Sequence, residues 1–242
     1  MFKKNNSTLI ISADDFGISK LANEKIIQLV RLGKIDRVEI MMSQNITSDY
    51  VAELLASGVA LDIHLHLAKG SLDLWQNNSR KSDAGTLKRV FVFLFSYFFG
   101  KNRPKEITKE WETQIWEFKQ LFQKSPDGIS SHEHIHFFPA YFPLVLKLAK
   151  DNNIPYVRFG KNWVKEKTPI CLILNFFKKI DGLLFNTAKF NSTDLMISFD
   201  WIADFDKFLK NSPDNKKIEL VFHPEKANEF EFLNKLSEKN FL

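Results

Sequence analysis

Apolar strand-like runs alternate with helix-patterned segments along the 242-residue chain, and this alternation limits the fold more than any other feature. Thr8–Ala13 reads as a buried strand, and Ser19 caps a helix reaching about Leu32. Arg37–Met42 is a second strand, Ser48–Ser57 a second helix and Ala60–Leu67 a third strand. A polar loop near 69–86 precedes an aromatic helix from about Leu87 to Phe99. Glu106–Gln123 is the next helix, with Trp111, Ile115, Phe118 and Phe122 at helical spacing. Gly128–Phe137 reads as a strand, Pro139–Asp151 as a helix and Pro155–Phe159 as a short extended piece. A helical region over 170–189, strands at Leu195–Ser198 and Ile218–Phe222, and a helix near 228–239 complete the pattern. Strands apolar on both faces belong in a parallel sheet covered by helices. About seven such units predict a single-domain α/β fold, a TIM-like (β/α) barrel of about seven parallel strands over 1–242, with an apolar-basic helical insert near 87–105. An open doubly wound sheet is the alternative. No G-x-G-x-x-G or Walker motif calls for a nucleotide cofactor.

Composition narrows the class. The chain carries 34 Lys+Arg against 29 Asp+Glu, a formal net charge of +5. The lone cysteine, Cys171, excludes an internal disulfide framework and suits a reducing compartment. The segment Met1–Ser7 runs into a strand pattern rather than a signal-peptide apolar region of about 7–15 residues. Val90–Phe99, the longest apolar stretch, is broken by Ser96 and is half the roughly 20 residues a membrane span needs. These features predict a cytoplasmic protein. There are 24 Phe against 4 Tyr, many beside Lys or Arg. Such a pattern fits a Phe-filled core with a basic rim, or a peripheral surface that docks on anionic lipid. The Lys residues are scattered, with no basic helix or known module, so no nucleic-acid partner is expected.

The chemistry sits in the histidines. All six fall in three places: His64 and His66, then His132, His134 and His136, then His223. Each place ends a predicted strand, as does the pair Asp14-Asp15. Parallel β/α folds bring the C-terminal strand ends to one face, where active sites are built. A lone strand histidine is most often a hydrogen-bonded core residue, but all six at strand ends point to a shared metal or catalytic site. Carboxylate and imidazole ligands without cysteines suit Zn²⁺, Mn²⁺, Co²⁺ or Fe²⁺. Two adjacent carboxylates can serve one site only if the chain leaves strand geometry there, and Phe16-Gly17 supplies a break. In a regular strand His132 and His136 would lie about 13 Å apart, so one ion could not bind all three imidazoles of that run.

Five motifs in order resemble the YdjC/ChbG-type carbohydrate deacetylases: Ala13-Asp-Asp-Phe-Gly-Ile-Ser19, Ile63-His-Leu-His-Leu67, Ser131-His-Glu-His-Ile-His-Phe-Phe-Pro139, Ile154-Pro-Tyr-Val-Arg158 and His223-Pro224. Glu110-x-x-x-Gln114 fits the helix between. The resemblance implies an N-deacetylase in a (β/α) barrel that depends on one divalent metal ion, Zn²⁺ first, with Mg²⁺, Mn²⁺ or Co²⁺ as alternatives. Carried over, it makes Asp15, His64 and His132 the metal ligands, Asp14 the general base and His223 the acid that protonates the departing amine. His136, Arg158 and His66 become pocket-lining, substrate-binding residues. Three positions depart from the family pattern: Ser130 where Asp is usual, His66 where Asn is usual and Asp62 where Gly is usual. Ser130 removes the carboxylate expected to orient an imidazole.

The apolar segments Val90–Phe99 and Cys171–Lys179 resemble the HpnK-like and NaxD-like subgroup. That implies an N-acetylhexosamine on a polyprenyl-phosphate or other lipid carrier in envelope glycolipid modification, met at the inner face of the cytoplasmic membrane. Soluble chito-oligosaccharides are the alternative substrate. A PHP- or amidohydrolase-like phosphoesterase with more than one ion, and a non-catalytic sugar-binding barrel, stay open, as does an oligomeric state.

Overall fold

In the computed structural model, which describes residues 2–4, 7–67, 104–162 and 169–236, the alternating segments form one sheet wrapped by helices. The strands are β1 (Phe2–Lys4), β2 (Ser7–Phe16), β3 (Arg37–Ile40), β4 (Ala60–Leu65), β5 (Gly128–Ser131), β6 (Tyr156–Val157), β7 (Lys161–Asn162), β8 (Leu195–Ser198) and β9 (Lys217–Phe222). The helices among the described residues are α1 (Lys20–Arg31), α2 (Ser48–Ser57), α3 (Pro104–Phe122), α4 (Phe142–Asp151), α5 (Pro169–Ala188), α6 (Phe205–Lys210) and α7 (Ala227–Lys235). The sheet order is β6-β5-β4-β3-β2-β9-β8-β7, with β1 added antiparallel to β2. The neighbours along that path are parallel. β6 and β7 are halves of one stretch interrupted at Arg158–Gly160, and Tyr156 also bridges Asn191. Both edges of the sheet therefore end on the same piece of chain. Counted once, that piece gives the seven parallel strands of a TIM-like barrel.

Alternation along the strands sorts residues onto two faces. Leu9, Ile11 and Ala13 of β2, Val38 and Ile40 of β3, Leu61, Ile63 and Leu65 of β4, and Ile218, Leu220 and Phe222 of β9 belong to one buried apolar cluster with the helices. From the helices come Ile26 and Leu29 of α1, Trp111, Ile115, Phe118 and Phe122 of α3, and Val145 and Leu148 of α4. Among the residues between them, and on β5, are Ser12, Asp14, Glu39, Asp62, His64, Ser130 and Glu219, polar and all buried. These face one another inside the barrel, where Ser12 donates to Glu219 at 2.7 Å. Arg37 closes on Asp62 with two bonds of 2.6 Å.

Caps and turns follow the sequence in places and depart in two. Ser19 accepts the Ala22 N–H at 3.0 Å and starts α1. The aspartate pair does not wait for Gly17 to leave strand geometry. Asp15 itself has φ +70°, and the β2–β3 register shifts between Ala13 and Phe16. This bulge turns Asp15 toward the side Asp14 already occupies, and Asp tolerates the left-handed region better than most residues. The second departure is the histidine run. β5 stops at Ser131, and His132–Phe137 form a 3-10 turn rather than strand. Ser131 Oγ accepts the His136 N–H at 2.9 Å, which takes that donor from the sheet. His134 stands at φ +58°. The aromatic helix expected at Leu87–Phe99 and most of the 87–105 insert lie outside the described residues; Pro104 and Lys105 open α3. Among the described residues no helix is long and apolar enough to cross a membrane.

Gly17, just past the bulge, has φ +102°, and an added Cβ would sit 2.0 Å from the Met41 carbonyl oxygen. Gly17→Ala should therefore cost on the order of 1–3 kcal/mol through backbone strain alone, more if the clash cannot relax. A urea midpoint unchanged from wild type would contradict that placement.

Candidate metal centre

The three expected ligands meet. Asp15 at the β2 bulge, His64 on β4 and His132 at the start of the 3-10 turn offer donor atoms within 4.8 Å of one another. His132 Nδ1 lies 2.8 Å from Asp15 Oδ1, and His64 Nε2 lies 3.5 Å from the same oxygen. The His64 and His132 rings stand edge to face, their centroids 5.8 Å apart. One oxygen and two imidazole nitrogens are donors for a borderline divalent ion such as zinc, and small side-chain closures would bring them to bonds of about 2.0–2.2 Å. Asp15 and His64 are buried, while the His132 side chain is 22% exposed and opens the cluster to solvent.

The charges around this cluster favour a cation. His64 Nε2 is 3.8 Å from Asp14 Oδ2, and its Nδ1 side faces Glu39 Oε2 at 3.5 Å. Burial alone would lower the His64 pKa, but Asp14, Asp15 and Glu39 outweigh it and push it up to about 10. Burial would raise the Asp15 carboxyl, yet His132 and His64 hold it well below the usual range. The carboxylates around His64 therefore favour a positive charge at this spot, from a proton or from a bound ion.

Asp14 sits beside the cluster, gripped by Arg158 through Nη1–Oδ2 at 2.8 Å and Nη2–Oδ1 at 2.9 Å. Arg158 also donates to Glu219 and Glu39 at 2.9 Å each. His223, at the end of β9, donates its backbone N–H to Glu229 Oε2 at 2.6 Å, and its ring Nδ1 is 3.6 Å from that oxygen. Burial opposes its charge, but Glu229, Asp15 and Asp14 prevail and raise its pKa.

Two expected substrate contacts are placed differently. Arg158 is fully buried behind Asp14 with its guanidinium among three carboxylates, so it does not line the pocket. His136 is equally buried, one ring nitrogen 2.8 Å from Ser131 Oγ and the other 3.0 Å from the Arg158 carbonyl. The 3-10 turn is what draws it inward. His66 is half-buried, and its carbonyl accepts from Gln114 at 2.8 Å and Trp111 at 3.3 Å. Burial, then repulsion from His132 and His64, lowers its imidazole to about 4.

Sequence reading missed Glu39, Glu219 and Glu229. The first two had a signal: each is an acid between apolar neighbours inside a strand (Val38-Glu-Ile40, Ile218-Glu-Leu220), hence on a polar inner face. Glu229 lies on an amphipathic helix, where nothing local marks it as inward.

The family model described as YdjC-like protein matches residues 8–239. The chain belongs to the YdjC-like family. Among its curated relatives, the chitooligosaccharide deacetylases of Yersinia pestis (strain Pestoides F) and Yersinia pseudotuberculosis (serotype O:1b, strain IP 31758) are each 31% identical over 176 residues. Those matches cover 65% of this chain and 61% of the relatives' own length. A crystal structure from Enterococcus faecalis V583, of a protein named for cellobiose-phosphate cleavage, shares the fold with a TM-score of 0.56 and 19% identity. That match covers 96% of this chain and 86% of the other.

A folded-state pKa near 10 for His64, against about 6.5 unfolded, means the native chain keeps a proton the unfolded chain loses in between. The resulting stabilisation is complete below about pH 6.5 and is lost as pH rises through about 10. The urea midpoint of metal-stripped protein should fall from pH 7 to pH 10 more steeply in wild type than in His64→Gln. Parallel slopes would contradict this electrostatic account.

Proposed function

We propose that this YdjC-like protein is a metal-dependent carbohydrate deacetylase that hydrolyses the N-acetyl group of an N-acetylhexosamine, releasing acetate and a free amino sugar. The observation that carries this reading is Asp14, a buried carboxylate fixed by Arg158 and 3.8 Å from a ligand of the Asp15–His64–His132 cluster. A divalent ion held by those three residues would polarise the acetyl carbonyl and acidify a water.

The chain's own groups account for the proton traffic. Asp14 takes a proton from the attacking water as its oxygen bonds to the acetyl carbon. The bidentate Arg158 clamp holds Asp14 in place for that transfer and keeps its charge compensated. His223, its pKa raised by Glu229 and the two aspartates, carries a proton to the sugar nitrogen as the C–N bond breaks. Protonation matters because an amine anion is too basic to leave unaided. His66, half-buried beside the cluster, lines the approach and contacts the sugar.

Two substrates have specific support. The lipid-linked reading rests on α5, whose outward face exposes Leu172, Phe176, Ile180, Leu183 and Leu184, with Leu183 78% exposed, beside the exposed Lys179. An apolar stripe with basic neighbours suits the headgroup region of an anionic bilayer. The names of the Yersinia relatives favour soluble chito-oligosaccharides.

Asp14→Asn should keep the ion at wild-type stoichiometry and slow acetate release by about 10²–10⁴-fold. Near-normal turnover would remove Asp14 from the role of base. Asp15→Ala and His64→Ala should lose the ion itself. Acetate release from lipid-linked and free N-acetylhexosamines, with liposome co-sedimentation, separates the substrates. Binding to anionic vesicles that weakens in Leu183→Asp supports the lipid carrier; no binding at moderate salt assigns the soluble sugar.

A further inference from the structure

Ser130 replaces a carboxylate where an imidazole needs orienting, yet the buried interior still brings one to that histidine by a longer route. β3, β4 and β5 lie side by side, with Glu39 opposite Asp62 and His64 opposite Ser130. Ser130 Oγ is 2.7 Å from His64 Nδ1 and also donates to Glu39 Oε2. Glu39 Oε2 is itself 3.5 Å from His64 Nδ1, too far for a direct hydrogen bond, so the hydroxyl spans the gap. Glu39 and Ser130 are both fully buried.

We propose that Glu39 is a positioning residue that acts through Ser130 to fix His64 as the Nδ1–H tautomer, presenting the Nε2 lone pair to the metal. The count of protons sets the tautomer. A serine hydroxyl has one proton, and Glu39, paired with Arg158 at 2.9 Å, can only accept it. The hydroxyl's lone pairs are then what His64 Nδ1 meets, and Nδ1 must be the donor. Nε2 is left without a proton once an ion binds, and it is the atom 3.5 Å from Asp15 Oδ1. Carboxylate–histidine–metal chains orient ligands in this way, and here a serine lengthens the chain by one link. The second Glu39 oxygen accepts from Arg158, the group that clamps Asp14. One buried carboxylate therefore ties the orientation of a metal ligand to the placement of the base.

This inference rests on the metal-site reading, and the test separates the two. Zn²⁺ affinity is measured by chelator competition on wild type, His64→Ala, Ser130→Ala, Ser130→Thr and Glu39→Gln. In the Zn²⁺-loaded proteins, ¹H–¹⁵N spectra of the imidazoles report which His64 nitrogen is protonated. Ser130→Ala should weaken Zn²⁺ about 10–100-fold and lose the protected Nδ1–H signal. Ser130→Thr, which restores a hydroxyl, should recover both, and Glu39→Gln should fall between. If His64→Ala binds Zn²⁺ like wild type, the metal site itself is wrong. If His64→Ala loses the ion while Ser130→Ala and Glu39→Gln keep wild-type affinity and the Nδ1–H signal, the relay is wrong and the metal site stands. Should Ser130→Ala fail to fold, Glu39→Gln and Ser130→Thr carry the same comparison.

Discussion

The Arg158 guanidinium anchors the polar interior of the barrel. It faces Asp14, Glu39 and Glu219, and it is fully buried with them. Removing one partner from such a buried set strands the others without water and costs about 3–5 kcal/mol. The three carboxylates come from strands β2, β3 and β9, which neighbour one another in the sheet, whereas Arg158 lies where β6 and β7 interrupt. The guanidinium thus crosses the barrel interior and joins its closing segment to strands β2, β3 and β9. A chain that placed apolar residues at these inward positions would be as well packed and would have no site.

The charges of that interior favour a cation. Asp62 is matched by Arg37. Asp14, Asp15, Glu39 and Glu219 then outweigh Arg158, and the excess falls at the open end of the barrel beside His64 and His132. The high His64 pKa is the signature of that excess. A proton satisfies it in part; a divalent ion with two imidazoles and a carboxylate satisfies it with directional bonds. Glu39 stands at the junction, one oxygen toward the ligand histidine through Ser130 and the other toward the clamp on Asp14.

Much of this was legible in the sequence because it is local. Ser48–Ser57 and Leu195–Ser198 have the expected bounds, since hydrophobic period and flanking turn residues set them. A shared site for the aspartate pair and the strand-end histidines followed from the rule that parallel strand ends share a face, while the choice of Asp15, His64 and His132 followed from the family resemblance. What escaped depends on particular bonds and dihedrals that hydrophobic patterning does not show. The histidine run became a turn because Ser131 captures the His136 N–H, and this buried His136 instead of presenting it. The three carboxylates around Arg158 lie on strands far away in sequence, so nothing among its neighbours signals its burial. The Asp15 bulge escaped because the dihedral strain falls on an aspartate with a tolerant glycine two positions on.

The central claim is that Asp15, His64 and His132 hold one ion. Anomalous diffraction at the zinc edge from crystals grown with Zn²⁺, combined with metal content per chain, tests it most directly. The account predicts one equivalent and one peak at about 2.0–2.2 Å from all three side chains. No peak among them, or two or three ions sharing the pocket, would contradict it.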